Sequence, residues 1–339
     1  MKKNYIIRVA PLFLLFSLFI ISCENDQDIV SPPSTPSLKG APLHNGYWSI
    51  KCVNYYPKDY PWGGGVMWSQ CDVNVYEADC ARMQALGINS VRTFLPVIPT
   101  TDQYWYQSDW KATWYMMDKI DKFLTACNNH GIRAIICFDV DKTTIHNGTM
   151  NIIYAKNWFN SVITPLKNDS RILAWDIINE PDADPDPNQN WSANMANYVT
   201  TMYNYAESLT SQNLTIGMAW RGDELKSIGV SPDIYQFHEY SGGTKDQIKT
   251  TLANVKNQWP GKAILVGEYG IDTYNYSEAF QNQIYKNVMD AVSESGGIWG
   301  TSCWCLWDYP GVSGAEGKFG ILRADGSEKP AVNTVLWYY

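Results

Sequence analysis

Short apolar runs alternate along this chain with longer segments of helical periodicity, and this alternation restricts the fold more than any other feature. Eight runs are typical of strands, at residues 47–56, 88–97, 132–141, 171–181, 214–220, 233–240, 262–270 and 296–310. Helical spacing predicts helices at 74–87, 114–131, 152–167, 190–210, 245–259, 277–295 and 331–339. Strands that alternate with helices predict an α/β fold with a parallel sheet and helical crossovers.

Eight such units favour a closed (β/α)8 TIM barrel over an open doubly wound sheet. An open sheet of that kind usually carries a glycine-rich phosphate turn after its first strand. Here the first strand leads into "YYPKDYPWGGGVMW", an aromatic loop without a GxGxxG pattern. The chain of 339 residues also fits one barrel, since such barrels take about 250 residues. We therefore predict a single barrel domain over residues 46–339.

The first 45 residues have the composition of an export signal followed by a tether. Lys2, Lys3 and Arg8 precede an apolar run at 9–21 that is short for a membrane span. The run ends at Cys23 and resembles a bacterial lipoprotein signal, which implies cleavage after residue 22 and a lipid on Cys23. Residues 23–45 are rich in proline and serine, which predicts a disordered tether. The alternatives are a plain signal peptide and an uncleaved anchor. All three kinds of segment predict export, and the lipoprotein signal predicts a location in the cell envelope.

Composition excludes some partners. The net charge of -8 argues against nucleic acid, which requires a basic face. Tyrosine and tryptophan, with 22 and 15 copies, outnumber the 10 phenylalanines, and rings with a flat apolar face and a polar edge suit sugars. We expect a monomer that binds a polysaccharide or oligosaccharide and meets the membrane only through its lipid.

The cysteines predict neither a metal site nor a disulfide framework. With Cys23 lipidated, seven remain, so at least one thiol must be free. Cys71 and Cys80 are close enough in sequence to bridge a loop, while most of the others lie in apolar runs that predict core positions. No CxxC spacing occurs, and we predict no cofactor and no metal.

Polar residues close the predicted strands, and the carboxyl ends of barrel strands carry the catalytic groups. These strand-end residues are Asn54, Tyr55, Arg92, Asp139, Asp141, Asn179, Glu180, Trp220, Arg221, His238, Tyr240, Glu268, Trp304 and Trp307. Glu180 on the fourth strand and Glu268 on the seventh are predicted to face each other across the barrel mouth. Two carboxylates in one pocket serve glycoside cleavage, because one donates a proton while the other attacks or activates water.

Four motifs carry a resemblance to a known family. "VRTF", "WDIINEP", "FHEY" and "LVGEYG" are similar to clan A glycoside hydrolases, most of all to glycoside hydrolase family 5, the cellulase and β-mannanase family. The resemblance covers residues 47–309 and implies a retaining double displacement. In it, Glu180 matches the general acid/base and Glu268 the nucleophile.

The resemblance also implies substrate contacts. Asn179 matches the residue that binds the sugar 2-hydroxyl, and His238 matches a histidine near the acid/base. Arg92 and Tyr240 match groups that keep the nucleophile ionised and oriented. Trp304 matches the aromatic floor of the sugar subsite, with Trp307 as the competing choice.

The third strand departs from the family pattern. Family members commonly end it with histidine, whereas this chain has Asp139 and Asp141, with His146 only later in the loop. We keep Asp139 as a candidate substrate contact. The acidic loop "DADPDPNQN" begins at Asp182 and is predicted to be a solvated loop rather than a calcium site.

The sequence leaves several functions open. The leading prediction is hydrolysis of a β-linked glycan such as β-mannan or β-glucan, with endo or exo action undecided. A transglycosylase would use the same covalent intermediate. A catalytically inactive carbohydrate-binding lipoprotein is the third possibility, but it would not need both glutamates.

Overall fold

Eight parallel strands close into a barrel in the order in which they occur along the chain. In this computed structural model, residues 49–61, 66–97, 109–183, 191–220 and 222–339 are described. The strands are β1 Ile50–Asn54, β2 Ser90–Pro96, β3 Arg133–Asp139, β4 Ile172–Asn179, β5 Asn213–Met218, β6 Ile234–Glu239, β7 Ala263–Tyr269 and β8 Gly300–Cys303. The predicted (β/α)8 barrel is confirmed. The predicted signal segment 1–22, Cys23 and the tether to residue 45 lie outside the described residues.

Ten α-helices are described, with one 3-10 helix at Ala315–Lys318 after β8. The helices are α1 Val66–Gln70, α2 Val73–Ala85, α3 Trp114–Asn129, α4 Lys142–His146, α5 Ile152–Leu166, α6 Ala193–Leu209, α7 Gly222–Ser227, α8 Lys245–Gln258, α9 Glu278–Ser295 and α10 Ala331–Tyr338. The long helices lie where periodicity predicted them. The short helices α1, α4 and α7 were not predicted, because five or six residues are too few for a helical period to stand out.

Barrel closure depends on β1, which pairs with strands from both ends of the chain. Cys52 is in register with Ser90 of β2 on one side and with Ser302 of β8 on the other. β8 has only four residues, although the predicted run there covered fifteen. The rest of that run continues as a loop, so Trp304 and Trp307 both lie beyond the strand.

Polar side chains fix where the long helices begin. Thr113, Ser192 and Ser277 each accept a hydrogen bond from a backbone N–H of the first turn of α3, α6 and α9. Thr244 forms a reciprocal capping box with Gln247 at the start of α8. These caps fix where the loops after β2, β4, β6 and β7 end. The carboxyl ends of these strands and the loops that follow them form the rim that holds the site.

The core lies both inside the barrel and between the strands and helices. Between β3, β4 and α5, Phe138 stacks on Phe159 and on Trp175, with ring centroids 3.8 and 5.8 Å apart. The seven cysteines after Cys23 are buried free thiols, so the suggested Cys71–Cys80 bridge is absent. None of the described helices is long and apolar enough to cross a membrane.

Candidate active site

Glu180 and Glu268 meet at the carboxyl-terminal rim of the barrel. Glu180 directly follows β4, and Glu268 is the penultimate residue of β7. With His238 of β6 they form a group whose nearest side-chain nitrogen and oxygen atoms all lie within 4.8 Å of one another. Two residues that are 88 positions apart in sequence therefore share one small polar space.

The backbone at Glu180 is held in a conformation that non-glycine residues rarely adopt. Its φ is 47°, which costs on the order of 1–3 kcal/mol and persists only where the surroundings enforce it. The Glu180 N–H donates to the carbonyl of Gly217 at 2.7 Å, and Lys142 Nζ donates to the Glu180 carbonyl at 3.1 Å. A register shift between Asp176 and Asn179 in the β4–β5 pairing precedes this turn. The end of β4 is thereby turned so that Glu180 enters the shared space.

Arg92 of β2 links several residues of the site to one another through hydrogen bonds. Its side chain is fully buried, and its NH1 donates to Glu268 Oε1 at 2.7 Å. Its NH2 donates to Asn179 Oδ1 at 2.8 Å, which leaves the Asn179 amide nitrogen as a donor for a ligand. NH1 also donates to Asn54 Oδ1 at 2.9 Å. One guanidinium thus orients three strand-end residues at once, as its planar fork of donors allows.

Asp176, in the middle of β4, is a part of this network that the sequence analysis missed. It is fully buried, and its Oδ2 accepts from Arg92 Nε at 2.8 Å and from Gln236 Nε2 at 3.1 Å. Its Oδ1 accepts from the Gly217 backbone N–H at 3.1 Å. A charge inside the apolar run "LAWDII" is the signal that could have revealed it, because a buried charge requires a partner.

Tyr240 and His238 surround Glu268 on the β6 side. The Tyr240 hydroxyl donates to Glu268 Oε2 at 2.9 Å, and His238 Nδ1 lies 3.6 Å from the same oxygen. His238 Nδ1 is closer to Glu180, at 2.7 Å from Oε1. His238 therefore stands between the two carboxylates, with its stronger contact to Glu180.

The pKa values of these three groups depend on one another. Burial would raise the pKa of Glu180, but the hydrogen bond to His238 and the charges of His238, Lys142 and Arg92 together outweigh it and lower that pKa to about 2. Desolvation disfavours a charged imidazole, yet the Glu268 and Glu180 carboxylates raise the pKa of His238 above its ordinary value. The 2.7 Å contact between His238 Nδ1 and Glu180 Oε1 is therefore one in which the two groups can share a single proton.

Burial also raises the pKa of Glu268, against the opposing charges of His238 and Arg92, and the Glu180 carboxylate adds to the increase. For Tyr240, desolvation and the neighbouring Glu268 raise the phenol pKa well above its ordinary value, so the hydroxyl remains a donor. The charge of Arg92 is shared with Asp176, which limits how far it can favour the ionised form of Glu268.

The aromatic candidates occupy different environments. Trp304 is half-buried and meets the ring of Phe94 edge-on at 5.8 Å between centroids. Trp307 is only 9% exposed and belongs to the hydrophobic core. This placement favours Trp304 as the aromatic surface that faces a ligand and gives Trp307 a packing position.

Asp139 ends β3 on the same rim, open to solvent on one side. Loss of hydration raises the pKa of Asp139, while Arg92 and Lys142 oppose the increase. Asp141 instead accepts the Thr143 N–H at the start of α4, and His146 is buried with Nδ1 2.9 Å from Ser192 Oγ. The family histidine that is missing from β3 is therefore not replaced by His146.

Two further predictions concern the loops after β4 and β5. Asp182 is fully buried, so the prediction of a solvated loop is wrong at its first residue, and residues 184–190 lie outside the described residues. Trp220 is 67% exposed beside the site, while Arg221 also lies outside the described residues. Tyr55 is buried, and its hydroxyl donates to Asp79 at 2.7 Å, away from the glutamates.

Glu180, His238 and Glu268 could also be considered as metal ligands, since their donor atoms lie within 4.8 Å of one another. Arg92, whose NH1 is 2.7 Å from Glu268 Oε1, already supplies a positive charge there. The two carboxylates thus already have a cation and proton-donating side chains of the protein as partners.

A parallel (β/α)8 barrel with two carboxylates at its carboxyl-terminal rim places the protein in the class of barrel glycoside hydrolases. A family model described as "Cellulase (glycosyl hydrolase family 5)" matches residues 53–310. The chain belongs to glycosyl hydrolase family 5, a family of glycoside hydrolases. The predicted family membership is confirmed.

Among curated proteins, the chain is similar to mannan endo-1,4-β-mannosidase A of Aspergillus aculeatus. The two are 25% identical over 187 residues, which cover 47% of this chain and 46% of that protein. The match thus spans about half the length of that relative.

Among solved structures, the chain is similar in fold to a GH5_18 variant from Streptomyces cattleya in complex with Manβ1-4GlcNAc. The TM-score is 0.68 at 16% identity, over 85% of this chain and 80% of that chain. An exo-β-1,4-mannosidase from Opitutaceae bacterium strain TAV5 gives a TM-score of 0.66 at 16% identity, over 88% of this chain and 62% of that one.

Proposed function

We propose that the protein hydrolyses β-glycosides with retention of anomeric configuration, by double displacement. The observation that supports this most directly is the short gap between the two glutamates, whose nearest oxygens lie within 4.8 Å. Carboxyl groups of retaining enzymes are about 5–5.5 Å apart, whereas inverting enzymes leave about 6.5–9.5 Å to admit a water molecule.

In this mechanism Glu268 attacks the anomeric carbon while the leaving oxygen takes a proton from Glu180. Arg92 and Tyr240 donate to the two oxygens of Glu268 and so fix its direction of attack. Because the pKa of Glu180 is lowered to about 2, the proton that the leaving group receives first moves from His238 Nδ1 to Glu180 Oε1, which lie 2.7 Å apart. In the second step Glu180 takes a proton from water, which then attacks the covalent intermediate.

Asn179 is placed to stabilise the transition state. Because its Oδ1 is bound to Arg92, its amide nitrogen can donate to the sugar 2-hydroxyl. An interaction of that kind strengthens as positive charge develops on the sugar ring. Trp304 supplies an apolar surface for the same sugar.

We infer a β-mannoside as the substrate, ahead of a β-glucoside. The support is the printed activities of the relatives, a mannan endo-1,4-β-mannosidase and an exo-β-1,4-mannosidase, and the Manβ1-4GlcNAc bound to a third protein of similar fold. Asp139, in the position of the usual family histidine, is one residue that would distinguish this sugar site from the common family pattern.

The test combines a substrate panel with product stereochemistry. The purified protein is incubated with β-mannan, β-glucan and manno- and gluco-oligosaccharides, and NMR follows the first anomer released. We expect turnover of β-mannosides with the β-anomer formed first. Formation of the α-anomer first would overturn the retaining mechanism, and a clear preference for glucosides would overturn the inferred sugar. An added acceptor sugar reveals whether transglycosylation competes with water.

Variants at the two glutamates separate their roles. Glu268→Gly should lose turnover and regain it with azide, giving the α-glycosyl azide. Glu180→Ala should keep activity only on aryl glycosides with good leaving groups. With added azide it should give the β-glycosyl azide. Wild-type cleavage by both variants would show that neither carboxylate is catalytic.

We further infer that the mature protein is an envelope lipoprotein tethered through Cys23. The support is the basic, then apolar, then cysteine pattern of residues 1–23 and the polar stretch that follows. Cells that produce the full chain are fed a labelled fatty acid. We expect label in the wild type and none in Cys23→Ser, and label in both would disprove lipidation at this residue.

A further inference from the structure

Lys142, the first residue of helix α4, extends from the loop after β3 to the loop after β4. Its Nζ donates to the Glu180 carbonyl at 3.1 Å and to the Ala183 carbonyl at 2.6 Å. The side chain is half-buried between these loops. Lys142 exchanges no proton in the double displacement, so its two contacts with the backbone around Glu180 call for another explanation.

The two carbonyls that Lys142 binds belong to one turn. The Ala183 N–H donates to the Glu180 carbonyl at 3.1 Å, which closes a turn over residues 180–183. Lys142 therefore binds the first and the last carbonyl of this turn with a single ammonium group. An ammonium has three donors, and hydrogen bonds from a charged donor are stronger than those between neutral groups. The lysine thus stabilises this one conformation of the turn.

Glu180 depends on such support because of its backbone conformation. Its φ of 47° lies in the left-handed region, which residues other than glycine seldom occupy. A change to the usual negative φ would alter the direction in which the side chain leaves the backbone. It would carry the Glu180 carboxylate away from His238 Nδ1, now 2.7 Å from Oε1. Proton transfer between the two groups requires that short distance.

Helix α4 gives Lys142 a fixed starting point. Asp141 caps the helix at its beginning. At the other end, the His146 carbonyl accepts from Asn194 Nδ2 at 3.0 Å, and His146 Nδ1 is 2.9 Å from Ser192 Oγ. These contacts join α4 to the start of α6. The ammonium of Lys142 is therefore held by two neighbouring elements and can in turn hold the Glu180 turn.

Lys142 also contributes charge at the acid/base. Four charged or titratable groups face Glu180 from different elements, namely Arg92 of β2, Lys142 of α4, His238 of β6 and Glu268 of β7. Burial raises the pKa of Glu180, whereas His238, Lys142 and Arg92 lower it. The ammonium therefore favours the ionised carboxylate, which is the form that takes a proton from water in the second step.

We propose that Lys142 is a positioning residue for acid/base catalysis, which holds Glu180 in the left-handed conformation that places its carboxylate against His238. This rests on the proposed function, in which Glu180 is the acid/base. Lys142 lies outside the four motifs that carry the family resemblance. It comes from the loop after β3, the strand whose end departs from the family pattern.

The test compares two substrates with the same attacked sugar. The leaving oxygen of an oligosaccharide needs a proton from Glu180, whereas the dinitrophenolate of an aryl glycoside leaves without one. Lys142→Met removes both hydrogen bonds and keeps nearly the same side-chain length. We expect kcat/KM to fall roughly 10- to 100-fold on the oligosaccharide, because a misplaced acid transfers its proton poorly. On the aryl glycoside, kcat/KM should change less than about twofold, because this parameter reports the first step.

Two further variants complete the comparison. Lys142→Arg keeps the cation and can donate to two carbonyls, so it should retain most of the oligosaccharide activity. Lys256→Met is the matched control, since Lys256 is a half-buried lysine of α8 whose Nζ donates to the Ser295 carbonyl at 2.9 Å. It should change neither substrate. Should Lys142→Met not fold, Lys142→Gln gives the same comparison.

The positioning role and the proposed function fail in different ways. Glu180→Ala, tested on the same two substrates, is the reference. If it loses activity on both alike, or on neither, the acid/base role of Glu180 is wrong. If it loses only the oligosaccharide while Lys142→Met affects both substrates equally, or neither, Lys142 does not position the acid/base and the mechanism stands.

Discussion

Arg92 and Glu268 form an ion pair inside the barrel, with 2.7 Å between NH1 and Oε1. The same guanidinium pairs with Asp176 through NH2 at 2.8 Å, and the side chains of Arg92 and Asp176 are fully buried. A buried cation between two carboxylates both stabilises the barrel and orients the nucleophile. Substitutions at Arg92 and at the residues around Glu268 separate these effects.

Arg92→Lys keeps the charge but loses the planar fork of donors. A single ammonium cannot replace the contacts with Glu268, Asp176 and Asn179 together. We expect kcat/KM to fall about 100-fold or more and the free energy of unfolding to fall by about 3–5 kcal/mol. Kinetics and chemical denaturation measure the two effects. Arg82→Lys, at an exposed ion pair with Glu328, is the control and should change neither measurably.

Tyr240→Phe removes one hydrogen bond from Glu268 and leaves the ring in place. Because that hydrogen bond favours the ionised carboxylate, its loss should raise the pKa of Glu268 further. The acidic limb of the kcat/KM profile should move to higher pH, and activity at neutral pH should fall about tenfold or more. Tyr276→Phe, an exposed tyrosine after β7, provides the comparison. An unshifted acidic limb would show that the phenol does not influence the nucleophile.

His238→Asn should change the alkaline limb instead. In the wild type, activity at high pH is lost when Glu180 and His238 give up their shared proton, and the pKa of His238 is raised above its ordinary value. Without the imidazole, Glu180 must hold the proton alone, so the alkaline limb should move to lower pH. His130→Asn, on the surface beside Glu77, is the control. A profile identical to that of the wild type would remove His238 from the proton relay.

The same pairing predicts a pH dependence of stability. A histidine whose pKa is raised on folding stabilises the native state below its unfolded pKa of 6.5, and this stabilisation is lost as pH rises through the raised value. The wild type should therefore exceed His238→Asn in free energy of unfolding by more at pH 6 than at pH 9. Denaturant titrations at both pH values measure this, and a constant difference would contradict it.

Gly217→Ala tests how tightly the base of the site is packed. An added Cβ would lie 2.6 Å from Gln236 Nε2 and 3.0 Å from Arg92 NH2 and from His238 Nε2. These side chains must move, so we expect a loss of about 1–3 kcal/mol in stability and a fall in kcat. At Gly311 no heavy atom of a more distant residue lies within 4 Å of an added Cβ, so Gly311→Ala should be tolerated. Equal behaviour of the two variants would mean that the close approach at Gly217 has no consequence.

The sequence by itself determined the barrel and the positions of the two glutamates on it. Hydrophobic periodicity is a local property, so the alternation of runs located the eight strands and the long helices. Glu180 and Glu268 stand where polar residues end apolar runs, and parallel strands bring such ends to one rim. Short helices such as α7 were missed because six residues make fewer than two turns, too few for a 3.6-residue repeat to be recognised.

Only the tertiary structure decided which residues work together at that rim. Nothing local in the sequence pairs Asp176 with Arg92, joins Asp182 to the backbone of Trp220, or leaves Cys71 and Cys80 unbonded. Trp304 and Trp307 look alike in sequence, and their exposure differs because β8 ends before both. Barrel closure brings the residues of such contacts together from distant parts of the chain. The free energy of each contact depends on how deeply its residues are buried, which no short stretch of sequence defines.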